Sequence, residues 1–376
     1  MKTFIPALAV LAMSLGASAE PVQTEVSGSA RVRTEFRNNT ESSDLTGSRI
    51  RAEFKIKANE KTHLFLQPQF TKLWGEPEGA ASTSGAVHDT EIDLHQGYLT
   101  YLIDETFSFR LGRSELNYGD QLLVGGVGWS HTGRSFDLAL ARFQKSHGSV
   151  EIFNSKLVDR NLTTAGPGDR NFSGIYSSYE LGSWAKAFDL YAFLLEDRGA
   201  DPALKTAAYG TRLKSEWNGF DLRLEATFET VEAGSQQDEH QVDIEIGHRW
   251  SNASIQPRLS AEYFQASEDF DQLFPTGHKW LGIADLFTRK NIKGYRLGLS
   301  SLPVENLSVA LDYHFFQRES ADADVASEFD LVLGRKFKGD LSVEAGAAYV
   351  LPASDLKAAG FSDPSTFFYF QVATHF

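Results

Sequence analysis

The run Arg49–Ala58, RIRAEFKIKA, alternates charged and apolar side chains without interruption. One face collects the apolar side chains, which are Ile50, Ala52, Phe54, Ile56 and Ala58. The other face collects the charged ones, which are Arg49, Arg51, Glu53, Lys55 and Lys57. A period of two residues is that of a β-strand, and no helix separates side chains in this way. The run therefore predicts a strand with one apolar and one wet face.

The same alternation returns at 220–228, 242–250, 307–315 and 341–349. These runs are roughly 9–13 residues long, whereas the strands of soluble proteins usually have about 5–6. A tilted strand needs about 9–11 residues to cross a bilayer. The length predicts a transmembrane β-barrel, in which the apolar face meets lipid and the charged face lines a water-filled lumen.

Reading the pattern along the whole chain gives about 18 candidate strands. They are 22–38, 47–58, 62–75, 89–103, 106–115, 134–145, 149–158, 171–181, 186–196, 205–217, 220–232, 239–250, 254–267, 292–302, 306–318, 326–338, 340–351 and 366–376. Tight connections at 59–61, 104–105, 146–148, 218–219, 251–253 and 339 alternate with generally longer ones at 39–46, 76–88, 116–133, 159–170, 197–204, 268–291 and 352–365. Short periplasmic turns and longer extracellular loops give this alternation, so the fold class is all-β, an antiparallel barrel in a bacterial outer membrane.

The two ends of the chain agree with export to that membrane. Residues 1–19 combine a basic Lys2, an apolar run and the sequence Ala17-Ser18-Ala19, as a cleaved signal peptide does. Residues 20–376 are then a single transmembrane barrel. The last strand ends TFFYFQVATHF and closes with Phe376, which resembles the C-terminal signal read by the outer-membrane barrel assembly machinery. We expect that machinery and outer-membrane lipid to be partners of the chain.

Composition and motifs exclude several classes of function. The formal net charge of −14 argues against nucleic-acid binding, and the absence of cysteine excludes disulfides. There is no nucleophile elbow, zinc-protease motif or phosphate-binding loop. The S-x-x-K spacing at 183–186 stands alone in a predicted turn, and the histidines lack metal-ligand spacing. We therefore expect no enzymatic activity, metal or cofactor.

Charged side chains on the predicted inward face are the candidate functional residues. They can pair across strands and rigidify the lumen, or the arginines can form a local positive field that favours anions. Guanidinium groups bind carboxylates in a bidentate way, which suits an acidic ligand. The candidate pore-lining residues are Arg31, Arg33, Arg49, Arg51, Arg110, Arg113, Arg134, Arg212, Arg223, Arg258 and Arg296.

Two long connections are too apolar to be fully solvated. Loop 116–133 carries Leu122, Leu123, Val124 and Trp129, and loop 268–291 contains LFPTGHKWLGIADLF. We expect the first of them to fold into the lumen and constrict it.

The same two loops carry a family resemblance. The segments 112–120, GRSELNYGD, and 129–137, WSHTGRSFD, resemble the signature of the alginate export family, as do 274–279, FPTGHK, and 285–287, DLF. The resemblance implies an 18-stranded barrel with an electropositive, loop-constricted pore for an anionic polysaccharide. It carries over Arg113 and Arg134 as basic residues that flank the first loop.

The sequence thus predicts an outer-membrane channel that passes an anionic polysaccharide or oligosaccharide, such as an alginate-like uronate polymer in export. The alternative is a general or uptake porin for small anionic solutes, since sequence does not fix the direction of transport. An outer-membrane enzyme would need a catalytic constellation and an adhesin would need large surface loops, and the sequence shows neither.

Overall fold

A computed structural model describes residues 22–38, 42–75, 92–159, 168–183 and 185–376, so the predicted signal peptide lies outside the described residues. It contains eighteen strands: β1 (Gln23–Asn38), β2 (Ser42–Lys57), β3 (Thr62–Leu73), β4 (Asp93–Leu102), β5 (Phe107–Ser114), β6 (Phe136–Lys145), β7 (Gly148–Val158), β8 (Arg170–Tyr179), β9 (Ala185–Asp197), β10 (Leu204–Trp217), β11 (Phe220–Ala233), β12 (Gln236–Arg249), β13 (Arg258–Ala266), β14 (Ile292–Val304), β15 (Leu307–Gln317), β16 (Asp324–Lys336), β17 (Leu341–Pro352) and β18 (Ser365–His375).

The strands form one closed antiparallel barrel. Each strand pairs with its neighbours in the chain, and β1 also pairs with β18, with Arg37 opposite Phe367. Backbone hydrogen bonds of 2.8 and 3.0 Å join Gly28 and Phe376 and complete the seam. Closure leaves no unpaired edge in the membrane, which the hydrocarbon core requires. The predicted fold class and strand number are confirmed.

The turns follow the predicted alternation with three exceptions, the first of which is the connection between β1 and β2, where only residues 39–41 separate the strands although a longer connection at 39–46 was predicted. The Asn218-Gly219 turn has positive φ at both residues, 48° and 84°, as a tight hairpin requires. By contrast, residues 250–257 connect β12 to β13 as a longer turn where a tight one was predicted, and only Gly234-Ser235 connects β11 to β12 on the opposite rim. Short and long connections therefore alternate along most of the chain but not at every hairpin.

Apolar side chains face outward, as the alternation predicts. Ile50, Leu111, Ile152 and Leu259 are among the exposed large apolar side chains on this face. Aromatic side chains flank the short turns at one rim, and these are Tyr101, Phe109, Phe143, Trp217, Phe220 and Trp250. Aromatic belts of this kind mark a membrane interface.

In the described part of the chain, the helical elements are two short ones within the loops, a 3-10 turn at Gly277–Lys279 and α1 at Ser354–Ala358. Among the residues that the structure describes, no helix is long and apolar enough to span a bilayer.

The buried apolar cluster lies inside the barrel and not between two layers. It joins inward side chains of β6 to β9, such as Phe153, Phe172 and Phe193, to the connection between β5 and β6. A second connection, between β13 and β14, adds Phe270, Trp280 and Leu281. The lumen is therefore partly filled by its own loops, and these loops position the candidate site.

Candidate functional site

The first inner loop, residues 115–135, packs against the inward face of β6 to β9. Leu122 and Val124 are each 1% exposed. Tyr118 stacks on Tyr176, with 4.4 Å between ring centroids, and its hydroxyl donates to Glu151 at 3.0 Å. A wall that faces water would carry polar side chains, whereas this part of the wall is aromatic. The loop therefore packs on an apolar surface of the barrel. The structure places this loop as predicted.

The second inner loop, residues 267–291, pairs with the first. Val124 and Phe274 form an isolated parallel β-bridge, and the amide of Gly125 donates to the carbonyl of Phe274 at 2.9 Å. The Trp129 and His278 rings stack with centroids 3.5 Å apart and planes 6° apart. Backbone pairing and ring stacking join the two loops into one constriction across the lumen.

Four predicted arginines meet where β1 and β2 face the first inner loop, and we call them the β1–β2 arginine cluster: Arg31, Arg33, Arg49 and Arg51. Arg31 lies opposite Arg49 across the two strands, so the alternation brings their side chains together. They donate chiefly to backbone carbonyls of the loop. Arg31 reaches the carbonyls of Gly128 and Ser130, both at 2.8 Å.

The other members of the cluster bind neighbouring carbonyls. Arg33 donates to Trp129 O at 2.5 Å, Arg49 to Ser130 O at 3.0 Å and Arg51 to Thr132 O at 3.1 Å. Carboxylates are few here: Glu35 lies 2.6 Å from Arg33 and Glu115 lies 3.5 Å from Arg51. Carbonyl oxygens are neutral acceptors, so Arg31 and Arg49, which pair with no carboxylate of the described residues, are not neutralised.

His131 lies inside this cluster and has no hydrogen-bond partner for either ring nitrogen among the described residues. Burial lowers its pKa, Arg33, Arg31 and Arg49 add to the lowering and Glu35 opposes it, and the resulting pKa is about 4. Its ring packs on Gly47, where an added Cβ would come within 2.2 Å. The buried imidazole is therefore neutral at pH 7.

Arginines of β11 to β14 make a different arrangement, the β11–β14 ion-pair network. It consists of Arg223, Arg258, Arg296 and the loop residue Arg289, with Asp221, Asp243, Glu245, Glu262 and Asp312. Arg258 lies 2.5 Å from Asp221 and 2.6 Å from Glu245. Arg289, which the sequence reading missed, is fully buried and pairs with Asp243. Carboxylates cancel the positive charge in this region.

Acidic side chains of the wall also hold the second inner loop. Glu328 accepts from the amide of Ala284 at 2.9 Å, and Glu229 accepts from the amide of Asp271 at 2.9 Å. From β1, Arg37 donates to the carbonyl of the same residue, Ala284, at 2.7 Å. The loop is therefore fastened to separate parts of the barrel.

The remaining predicted arginines lie apart from both groups. Arg212 pairs with Asp189 at 2.6 Å and with Asp120 of the first inner loop at 2.9 Å. Arg110 lies over the ring of Tyr98, at 4.5 Å from its centroid.

The two arginines that flank the first inner loop differ in position. Arg134 donates to the carbonyl of Pro275 at 3.0 Å and so contacts both inner loops. Arg113 shares the outward strand face of Leu111, where it pairs with Asp137 at 2.8 Å. The strand alternation therefore places Arg113 away from the lumen.

Besides Arg31, Arg49 and Arg110, four more cations of the lumen form no ion pair with any described residue: Lys186, Lys214, Arg249 and Lys279. Arg249 donates to the carbonyl of Gln256 and Lys279 to that of Asp120. The sequence placed Lys214 and Arg249 inward, but Lys186 and Lys279 were missed. Lys186 is the extra residue of a β-bulge opposite Lys214 and Ser215, and Lys279 belongs to the second inner loop. Neither position follows from a simple alternation.

These four cations line two cavities that share a wall. One cavity of about 590 Å³ is bounded by Lys186, Lys214, Arg249 and Arg258 and by the carboxylates of Glu216 and Asp221. The other, of about 370 Å³, is bounded by Lys214, Lys279 and three arginines of the network and by the carboxylates of Asp120, Asp221 and Glu245. In both cavities the basic side chains outnumber the acidic ones. Burial lowers the pKa of Lys279, Asp120 opposes this, and Arg223, Lys214 and Arg212 lower it further, so Lys214 and Lys279 are close enough to act on one another.

Within the described ranges, no group of three or more His, Cys, Asp or Glu side chains is placed to hold a metal ion.

Several solved structures of bacterial proteins have a similar fold. Acinetobacter baumannii OccAB1 aligns with a TM-score of 0.71 and 11% identity over 94% of this chain and 96% of that one. Pseudomonas aeruginosa OccK11 (OpdR) aligns with a TM-score of 0.65 and 14% identity over 94% of this chain and 95% of that one. At such low identity the likeness shows the fold alone.

A comparison with the curated proteins finds no match. The sequence profile of the family described as alginate export matches residues 22–349, which is most of the chain. The barrel, its inner loops and this match agree, and the chain belongs to the alginate export family of outer-membrane β-barrels.

Proposed function

We propose that this outer-membrane channel passes an anionic polysaccharide or oligosaccharide of the uronate class. The observation that carries the proposal is the set of unpaired lumen cations, Lys186, Lys214, Arg249 and Lys279, on two adjoining cavities. An unpaired ammonium or guanidinium group can replace water around a carboxylate. Several weak sites in a row allow an anion both to enter and to leave.

The predicted arginines contribute in two ways under this proposal. The β1–β2 arginine cluster supplies a positive field while its hydrogen bonds hold the first inner loop. The arginines of the β11–β14 ion-pair network shape the lumen but carry little net charge. Selection of anions therefore depends more on the lysines than the sequence suggested.

The cargo and the direction rest on the family. Membership in the alginate export family supports an acidic sugar polymer that leaves the cell. We further propose that residues 1–19 are cleaved on the way to the membrane, and that the strand ending in Phe376 is read by the barrel assembly machinery. Mass spectrometry of the mature protein tests the first point, and assembly of a variant without Phe376 tests the second.

A second candidate is a porin for small anionic solutes, including uptake. The inner loops favour it, because they are joined by backbone pairing and fastened to the wall by Arg37 and Glu328. A fastened constriction restricts wide cargo more than small ions. Liposome swelling with acidic sugars of graded length separates the two candidates, since a polymer channel admits chains and a small-solute porin stops at one or two units.

The main test is ion selectivity in planar bilayers. We expect the wild-type channel to prefer chloride over potassium, and the double variant Lys214→Gln/Lys279→Gln to lose most of that preference. Lys145→Gln is the control, because Lys145 lies beside the outward ring of Phe143 and not in the lumen. A wild-type preference for cations would overturn the proposal.

A further inference from the structure

A separate cavity of about 550 Å³ opens at the end of the lumen that holds the chain termini. By the pattern of short turns this end is periplasmic. Two rows of directly paired inward residues form its wall. One row is Lys57, His63, Thr100 and Arg110, and the other is Glu25, Lys55, Phe65 and Tyr98. The volume is that of a small-ligand site.

The wall is aromatic at its centre. Phe65 and Tyr98 are cross-strand neighbours, with ring centroids 5.1 Å apart and planes at 31°. Both side chains are half-buried. The other inward aromatics differ, since Phe153, Phe172 and Phe193 of β7 to β9 are at most 4% exposed beneath the first inner loop. Phe65 and Tyr98 therefore present apolar ring surface to an open cavity.

Polar groups surround these rings. The Arg110 guanidinium lies over Tyr98 at 4.5 Å, and Lys55 is held by Glu25 at 3.2 Å. Arg110 Nε and His63 Nε2 are buried and have no hydrogen-bond partner among the described residues. An unsatisfied buried donor costs free energy unless a ligand or water meets it. A carboxylate would accept from the Arg110 guanidinium, and from His63 Nε2 in the tautomer that carries a proton on that nitrogen.

We propose that this cavity is a subsite for one acidic sugar residue of a uronate chain at the periplasmic entrance. The apolar face of the pyranose ring packs on Phe65 and Tyr98, and the sugar carboxylate binds Arg110. An aromatic surface beside a few convergent polar groups is the usual composition of a small-molecule site. The inference rests on the proposed function, because it assigns a place where the same cargo is bound.

Block of single-channel current by added sugar tests the subsite, with trigalacturonate as the acidic probe and maltotriose as the neutral one. We expect trigalacturonate to block the wild-type channel more strongly from the periplasmic side than from the other. Tyr98→Leu should weaken block by both sugars by about three- to tenfold, because it removes the ring face. Arg110→Gln should weaken block by trigalacturonate only.

Two further variants separate binding from folding. Tyr98→Phe keeps the ring and should retain block within about twofold. Tyr209→Leu makes the same replacement as Tyr98→Leu on the outward face of β10, where the side chain is 57% exposed, and should change nothing. Unaltered block in Tyr98→Leu, or equal block from both sides of the wild-type channel, would overturn the subsite.

The reversal potential in the same bilayers separates this inference from the proposed function. An anion-selective channel in which Tyr98→Leu leaves block unaltered removes the subsite only. A cation-selective wild-type channel that trigalacturonate does not block removes both.

Discussion

Two groups of arginines line separate parts of the lumen and are neutralised differently. The β1–β2 arginine cluster donates mainly to neutral carbonyls, as Arg31 does to Gly128 and Ser130. In the β11–β14 ion-pair network each guanidinium meets carboxylates, as Arg258 meets Asp221 and Glu245. Strand alternation directs both groups inward, but the partner decides whether a positive charge remains.

The difference separates two tasks. Neutral acceptors leave the β1–β2 arginine cluster positive, so it fastens the first inner loop and contributes a field along the lumen. Carboxylates make the β11–β14 ion-pair network a rigid, balanced wall, in which each charge depends on its partner. Losing one member should therefore cost more in the network than in the cluster.

The largest effect is expected from Asp243→Asn. Asp243 is fully buried between Arg223 and Arg289, so the change removes one of the two carboxylates that these guanidinium groups share and leaves Glu262, at 3.2 and 3.7 Å, as the other. Breaking a buried pair costs about 3–5 kcal/mol. We expect a loss of that size in the free energy of unfolding, measured by urea titration in lipid vesicles.

Asp238→Asn is the matched control for that measurement. Asp238 lies on the same strand, is exposed and accepts from Thr230 at 3.2 Å. It should change stability by less than about 1 kcal/mol. Equal effects of the two variants would remove the contrast between a balanced wall and an open surface.

The second-largest effect is expected from acid, which should weaken the packing of the first inner loop against β1 and β2. The pKa of His131 is about 4 in the packed loop and 6.5 when the ring is free, so protonation favours release of the first inner loop. The packing free energy should fall as the pH drops below about 6.5 and reach its minimum near pH 4. At about 1.4 kcal/mol per pKa unit, the full change is about 3 kcal/mol.

Limited proteolysis of the first inner loop between pH 7 and pH 4 measures that change, together with the frequency of current fluctuations. His131→Gln should flatten the response, because the substituted side chain does not titrate. If the first inner loop of His131→Gln became accessible to protease over the same pH range as in wild type, groups other than His131 would be responsible for the pH dependence.

A smaller effect is expected from Arg31→Gln. The change removes two hydrogen bonds of a charged donor to Gly128 and Ser130, which are worth about 1.5–3 kcal/mol to the packing of the loop. It also removes one positive charge, so chloride preference should decrease. Arg335→Gln is the control, since Arg335 lies over the exposed ring of Phe337. Equal selectivity in the two variants would show that the cluster contributes no field.

The strand framework was predictable because alternation is a local property. The ten residues Arg49–Ala58 show an apolar and a charged face in the sequence alone, and residues 49–57 lie in β2. The first inner loop was predictable as well, since Leu122 and Val124 are apolar in a connection that would be polar if it were fully solvated. Each of these features depends on residues close together in the chain.

The partners of the charged residues were not predictable, because they come from distant strands and loops. No feature of the sequence near Arg223 indicates that the fully buried Arg289 belongs to the same ion-pair network. Lys186 turns toward Lys214 through a β-bulge, which shifts the alternation by one residue. Whether an inward arginine is neutralised is therefore a property of the closed barrel and not of the strand.

The smallest effect is expected from Arg113→Gln, although Arg113 lies in the segment that carries the family resemblance. Its guanidinium makes a bidentate pair with Asp137, but the two side chains are 41% and 56% exposed on the outward face. An exposed pair contributes at most about 1 kcal/mol, and a charge behind the barrel wall adds little to the field in the lumen. Stability and reversal potential should both stay close to wild type, whereas Arg134→Gln, at the other end of the same loop, should loosen its contact with Pro275.

A shift of the reversal potential in Arg113→Gln as large as that in Arg31→Gln would contradict this prediction. It would mean that the direction of the side chain does not separate pore-lining arginines from the others. The distinction between cluster and network would then lose its physical basis.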